Sequence, residues 1–118
     1  MDQELNPDHC PESHEEFHSE VLNQNKDETY REAASIFRAL GEEGRLKTLF
    51  LISKQECCVS EIANVMNENV AAVSQRLKLL KSERIVNSRR EGKHIYYSLA
   101  DKHIVDLIKN GLAHAEET

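Results

Sequence analysis

The first 26 positions show no hydrophobic period: they are polar and acidic, with Pro7, Pro11 and a few scattered apolar residues. Such a stretch is expected to be a flexible acidic tail, with weak helix potential only between Ser13 and Leu22. From Glu28 the pattern becomes helical. Tyr30, Ala33, Ala34, Phe37 and Leu40 recur at three- and four-residue intervals, and Gly41 supplies a stop. Leu46, Leu49, Phe50 and Ile52 predict the buried face of a second helix over about residues 43–53. A short third helix should start near Val59 and turn Ile62, Ala63 and Met66 inward. Asn67-Glu68-Asn69 is the expected turn, since Asn tolerates a left-handed helix end and Asn69 is a good N-cap. The next helix, over about residues 70–83, buries Val73, Leu77 and Leu80. Ile85-Val86 and Ile95-Tyr96-Tyr97 then flank Arg90-Glu91-Gly92-Lys93, the pattern of a two-stranded hairpin with Gly92 in its turn. A last helix runs from Asp101, its N-cap, to about Glu116. Its stripe of Ile104, Leu107, Ile108, Leu112 and Ala115 finds little of its own domain left to cover it.

Helix, short helix, turn, helix and hairpin make a winged helix-turn-helix. The fold class is therefore mainly α (α+β), with a two-stranded β-hairpin wing and the N- and C-terminal helices free for dimerisation. The chain divides into a tail, 1–26, and a winged-helix and dimerisation domain, 27–118. A length of 118 residues suits one such domain. No apolar run is long enough for a bilayer and the N-terminus lacks a basic-then-apolar leader, so a cytoplasmic protein with no membrane association is expected. Three cysteines, two of them adjacent (Cys57, Cys58), make a poor disulfide framework; reduced thiols fit better.

The net charge of −6 argues against nucleic acid until its distribution is considered. Residues 1–28 hold nine acids against Lys26, a local balance of −8. Residues 69–98 hold Arg76, Lys78, Lys81, Arg84, Arg89, Arg90 and Lys93 against Glu83 and Glu91, a local balance of +5. A basic stretch inside an acidic chain is an electrostatic footprint for phosphate.

Metal chemistry points to the closing helix, where Asp101, His103, His114 and Glu117 form two acid–imidazole pairs. His103 and His114 lie about three helical turns apart, so both rings face one way, separated by about 16 Å of axis. Metal–nitrogen bonds are about 2 Å long, so one ion cannot reach both. The pairs can share an ion only if a second copy of the helix runs antiparallel beside the first. Asp101 and His103 of one chain would then meet His114 and Glu117 of the other, and two-fold symmetry would make two sites. Asp101 must sit in an irregular first turn to point with His103. Two imidazoles and two oxygens suit Zn²⁺, with Co²⁺ or Cd²⁺ as substitutes, and close the shell against catalysis.

Phe37-Arg38-Ala39-Leu40, Arg45-Leu46, Glu56-Cys57-Cys58-Val59-Ser60-Glu61-Ile62-Ala63, Ala72-Val73-Ser74, Leu77-Lys78-Leu79-Leu80 and Arg90-Glu91-Gly92-Lys93-His94-Ile95-Tyr96-Tyr97 together resemble the ArsR/SmtB family of metal-sensing bacterial repressors. The resemblance runs from about residue 28 to the end. It implies a dimer that binds double-stranded operator DNA when metal-free and lets go when a divalent ion binds. The helix over residues 70–83 would enter the major groove, presenting Asn69, Ser74, Gln75 and Lys78, with Gln75 suited to adenine. Arg76 would reach guanine or, by preference, phosphate. Arg89, Arg90 and Lys93 would ride the backbone or minor groove from the wing. The resemblance also implies a second metal site. Cys10, His14 and His18 recur every four residues, and family members join such tail ligands to the start of the third helix, where Cys58 and Glu61 match. Ser60 stands where a second cysteine often sits, which shifts preference from thiophilic ions toward Zn²⁺. Cys57 occupies a position of apolar packing, and His94 fits no pattern. The alternative within this fold is a thiol-based arsenite, Cd²⁺/Pb²⁺ or redox sensor using Cys10, Cys57 and Cys58. No His-Glu-x-x-His, Gly-x-Ser-x-Gly or glycine-rich phosphate loop points to an enzyme. A winged helix used only for protein contacts would show no specific operator.

Overall fold

The structure, a computed structural model, describes residues 15–117. Two units are distinguished, residues 1–32 and residues 33–118. In the first, α1 (Glu15–Leu22) is followed by the start of α2 (Asp27–Leu40). Tyr30 closes the connection by donating its hydroxyl to the Leu22 carbonyl at 2.8 Å. The weak helix potential of the tail is thus realised as two turns, with Phe17, Val21 and Leu22 all exposed.

The second unit contains the rest of α2, then α3 (Glu43–Lys54), β1 (Cys57–Cys58), α4 (Val59–Met66), α5 (Val70–Ser82), β2 (Val86–Glu91), β3 (His94–Leu99) and α6 (Lys102–Glu116). This is the expected winged helix-turn-helix. Its helix ends are set by local chemistry. Glu42 caps α3 by accepting from the backbone N–H groups of Gly44 and Arg45, which holds its carboxyl below the usual range. Asn67 takes the left-handed conformation at φ 54°, and the Glu68 N–H bonds the Ala63 carbonyl, a Schellman ending for α4. Asn69 then caps α5, its Oδ1 accepting from the Ala71 N–H at 2.7 Å. Arg84, at φ 63°, ends α5 in the same way, with the Ile85 N–H bonded to the Leu80 carbonyl.

Leu49 of α3, Ile62 of α4, Val73, Leu77 and Leu80 of α5, Ile85, and Ile108 of α6 fill the core. The hairpin wing is present as expected and gains a third strand, while two other expectations are corrected. The wing belongs to a three-stranded sheet of order β1-β3-β2, because Cys57 and Cys58 pair with Tyr97 and Tyr96. A two-residue strand has too little alternation to be recognised from sequence. Phe50, expected inside, is 40% exposed, whereas Leu49 and Ile52 beside it are buried. On α6, Ile104 and Ile108 are covered by their own domain and Leu112 is half-buried, whereas Leu107 and Ala115 remain exposed.

Candidate functional site

The α4–α5 turn holds the exposed face of α5 at the surface. Gln75 and Lys78 are exposed and Ser74 is half-buried on the side opposite Val73, Leu77 and Leu80. Asn69 is exposed, but its side-chain oxygen is engaged as the α5 cap. Glu91 and His94 pair across a two-residue loop in which Gly92 has φ 62°, a conformation that primed hairpin turns require of their first position. Arg90 and Lys93 project from this tip, both exposed, with Arg90 Nε only 3.4 Å from the Gly92 carbonyl.

Two arginines sit differently from the expectation. Arg76, expected to reach DNA, turns back from α5 and forms a bidentate pair with Glu68, at 2.8 and 2.7 Å. Nη1 also donates to the Thr48 hydroxyl on α3 at 2.9 Å. Arg89 is engaged by Glu56 and Glu91 and lies over the Tyr96 ring, 4.9 Å from its centroid. The guanidinium holds the Glu56 carboxyl below its usual range, and both carboxylates raise Arg89 further. Arg89 thus ties the wing to the segment leading into β1. Sequence reading missed the partners Glu68, Thr48 and Glu56, which are distant along the chain or lie across a turn. It also missed Lys81, which donates to Ser88 at 2.6 Å and joins α5 to the wing.

On α6, Asp101 occupies the N-cap with extended backbone; its Oδ1 accepts from the Ile104 N–H at 3.2 Å. The same oxygen lies 3.4 Å from His103 Nδ1, so the irregular first turn does bring this acid and imidazole together. The His103 side chain is 93% exposed. At the other end, His114 is in the last turn and Glu117 follows as the C-cap, both exposed. Among the described residues, no three His, Cys, Asp or Glu side chains of one chain converge as a metal cluster. Two imidazoles and two carboxylates are donors that would suit a borderline divalent ion, and each end of α6 carries one of each.

Cys58 and Glu61 also meet: the Glu61 carboxylate accepts the Cys58 N–H at 2.9 Å, and Cys58 Sγ is 3.3 Å from Ser60 Oγ. The Cys58 backbone bond holds Glu61 below the usual carboxylate range. Cys57 is buried, its thiol donating to the Gln55 carbonyl; burial first, then the Glu61 charge, raises it. His18 lies on α1 in the first unit, its ring 5.7 Å from that of Phe17. Cys10 and His14 lie outside the described residues.

A helix-turn-helix with a basic wing tip and an exposed polar helix face defines a DNA-binding regulator by fold and surface. Residues 42–88, spanning α3 to the start of β2, match the family described as bacterial regulatory protein, arsR family. The chain is 38% identical over 88 residues to a transcriptional repressor SmtB homolog of Synechocystis sp., covering 75% of this chain and 67% of that one. It is 33% identical over 106 residues to a cadmium resistance transcriptional regulatory protein CadC homolog of Staphylococcus aureus, covering 86% and 88%. Its fold is similar to the homodimeric winged helix-turn-helix DNA-binding domain Mb0332 of Mycobacterium bovis. The TM-score there is 0.73 at 30% identity, covering 79% of this chain and 89% of that one. The chain belongs to the ArsR family of bacterial transcriptional regulators, and is a regulator rather than an enzyme.

Proposed function

We propose that this chain is a metal-responsive repressor that binds operator DNA as a metal-free homodimer and is released when Zn²⁺, or a similar divalent ion, binds across its C-terminal helices. One observation carries the reading. Helix α6 buries Ile104 and Ile108 in its own domain and leaves Asp101 with His103 at one end, and His114 with Glu117 at the other, exposed. These four residues would hold the ion, which supplies a cross-link between two copies. Other family regulators named for cadmium or antimony leave the ion open. Zinc is favoured here by nitrogen and oxygen donors, and by a Cys57 thiol that faces inward with a raised pKa. That same inward thiol weighs against the sensor built on Cys10, Cys57 and Cys58.

The test is a Zn²⁺ titration of the protein bound to the DNA flanking its own gene, followed by fluorescence anisotropy. Wild type and Cys58→Ser should dissociate, whereas His103→Ala should stay bound. Release of His103→Ala, or retention of Cys58→Ser alone, moves the switch away from α6. On the DNA side, Arg90→Ala should weaken binding to all sequences alike and flatten the salt dependence by about one unit of slope. An unchanged slope would remove Arg90 from the phosphate contacts.

A further inference from the structure

We propose that Arg76 is a positioning residue for DNA recognition, and that its clasp on Glu68 and Thr48 fixes the reading face of α5 against α3. The inference rests on the DNA-binding reading above and assigns Arg76 a role other than phosphate contact.

The geometry is that of a three-way tie. The guanidinium forks onto both oxygens of Glu68, which lies in the α4–α5 turn immediately before the cap Asn69. One of the same nitrogens reaches the hydroxyl of Thr48, a fully buried residue of α3. Thr48 is in turn anchored to the Gly44 carbonyl one turn back, at 2.9 Å. Gly44 closes the other side: a Cβ there would stand 3.3 Å from Arg76 Nη2, so the guanidinium lies against the α3 backbone. The Arg76 side chain is only 14% exposed. Its donors point into the protein, and little of it is left for a phosphate.

A planar fork can hold one orientation in a way that a point charge cannot. Arg76 follows Gln75 directly and precedes Lys78 by two residues, so a roll of α5 about its axis would carry both with it. Groove reading tolerates little such motion, because bidentate base contacts depend on direction. Glu68 has a second consequence. A carboxylate beside the N-terminus of a recognition helix would repel DNA, and Arg76 both neutralises it and keeps it ionised below the usual range.

Arg76→Lys and Glu68→Gln separate this role from a simple charge effect. Affinity would be measured by anisotropy for the DNA flanking the gene and for a random duplex, each across a range of salt. Lysine keeps the charge and loses the fork. Arg76→Lys should therefore lower the preference for the specific site by about ten- to hundredfold, the size of one lost base-pair match. Its affinity for random DNA and its salt slope should stay near those of wild type. Glu68→Gln removes an acid near DNA, so random binding should hold or tighten while the same preference falls. The inference is overturned if Arg76→Lys keeps the wild-type preference, or if Glu68→Gln tightens binding to both duplexes equally. Should Arg76→Lys fail to fold, Glu68→Gln decides by the same criterion. A wild-type protein without preference for its own flanking DNA would instead overturn the DNA-binding reading itself.

Discussion

His114→Ala is expected to leave operator affinity within about twofold of wild type and to abolish its loss on adding Zn²⁺. The first half follows from packing. His114 is exposed in the last turn of α6, a helix held to its domain by Ile104 and Ile108, and lies outside the hydrophobic core. Surface substitutions of this kind change stability by about 0.5 kcal/mol or less. The second half follows from the donor count, because losing one imidazole of the proposed pair opens each site. In wild type the coupling should be about 1–3 kcal/mol, a 5- to 150-fold weakening of operator binding by metal. Linkage also requires the reverse: calorimetry of Zn²⁺ onto free and DNA-bound protein should return the same factor. In His114→Ala that factor should approach one. A mutant still released from its operator by Zn²⁺ would place the switch elsewhere, and Cys58 with Glu61 would be the first place to look.

The sequence made local features legible where one residue's own chemistry decides them. Asn67 in the left-handed region, Asn69 as cap and Gly92 in the hairpin loop each follow from conformational preference, and the buried series Val73, Leu77 and Leu80 follows from period. What depends on partners remote in the chain was not legible. Arg76 and Arg89 have the composition of phosphate contacts, and only the folded chain brings Glu68, Thr48 and Glu56 against them. Strand β1 escaped because its two residues acquire their meaning from pairing with Tyr96 and Tyr97. Of the two halves of the proposed α6 site, the fold-back of Asp101 toward His103 could be read from spacing. How the halves combine is a property of two chains, which periodicity in one cannot specify.

Leu77→Ala and Gln75→Ala, two residues apart on α5, should fail in opposite ways. Leu77 is fully buried in the cluster that includes Leu49, Leu80 and Ile85. Removing its branched side chain forfeits transfer free energy and leaves a cavity between helices whose caps hold them in place, a loss of about 2–5 kcal/mol. Against a total stability of about 5–15 kcal/mol this is a large fraction. It should lower the urea midpoint without changing the slope, measured at fixed protein concentration because a dimer's stability depends on it. Once folded at low temperature, the mutant should still choose its operator, since Leu77 faces away from solvent. Gln75 is exposed and should melt within about 0.5 kcal/mol of wild type when truncated. Its loss should be felt in recognition, by about 1–3 kcal/mol at a single A·T pair, with random DNA bound as before. A Gln75→Ala protein that discriminates as wild type does would remove this residue from the reading face. A Leu77→Ala protein of unchanged stability would mean that α5 is not packed into the core as described, and the clasp at Arg76 would lose its footing with it.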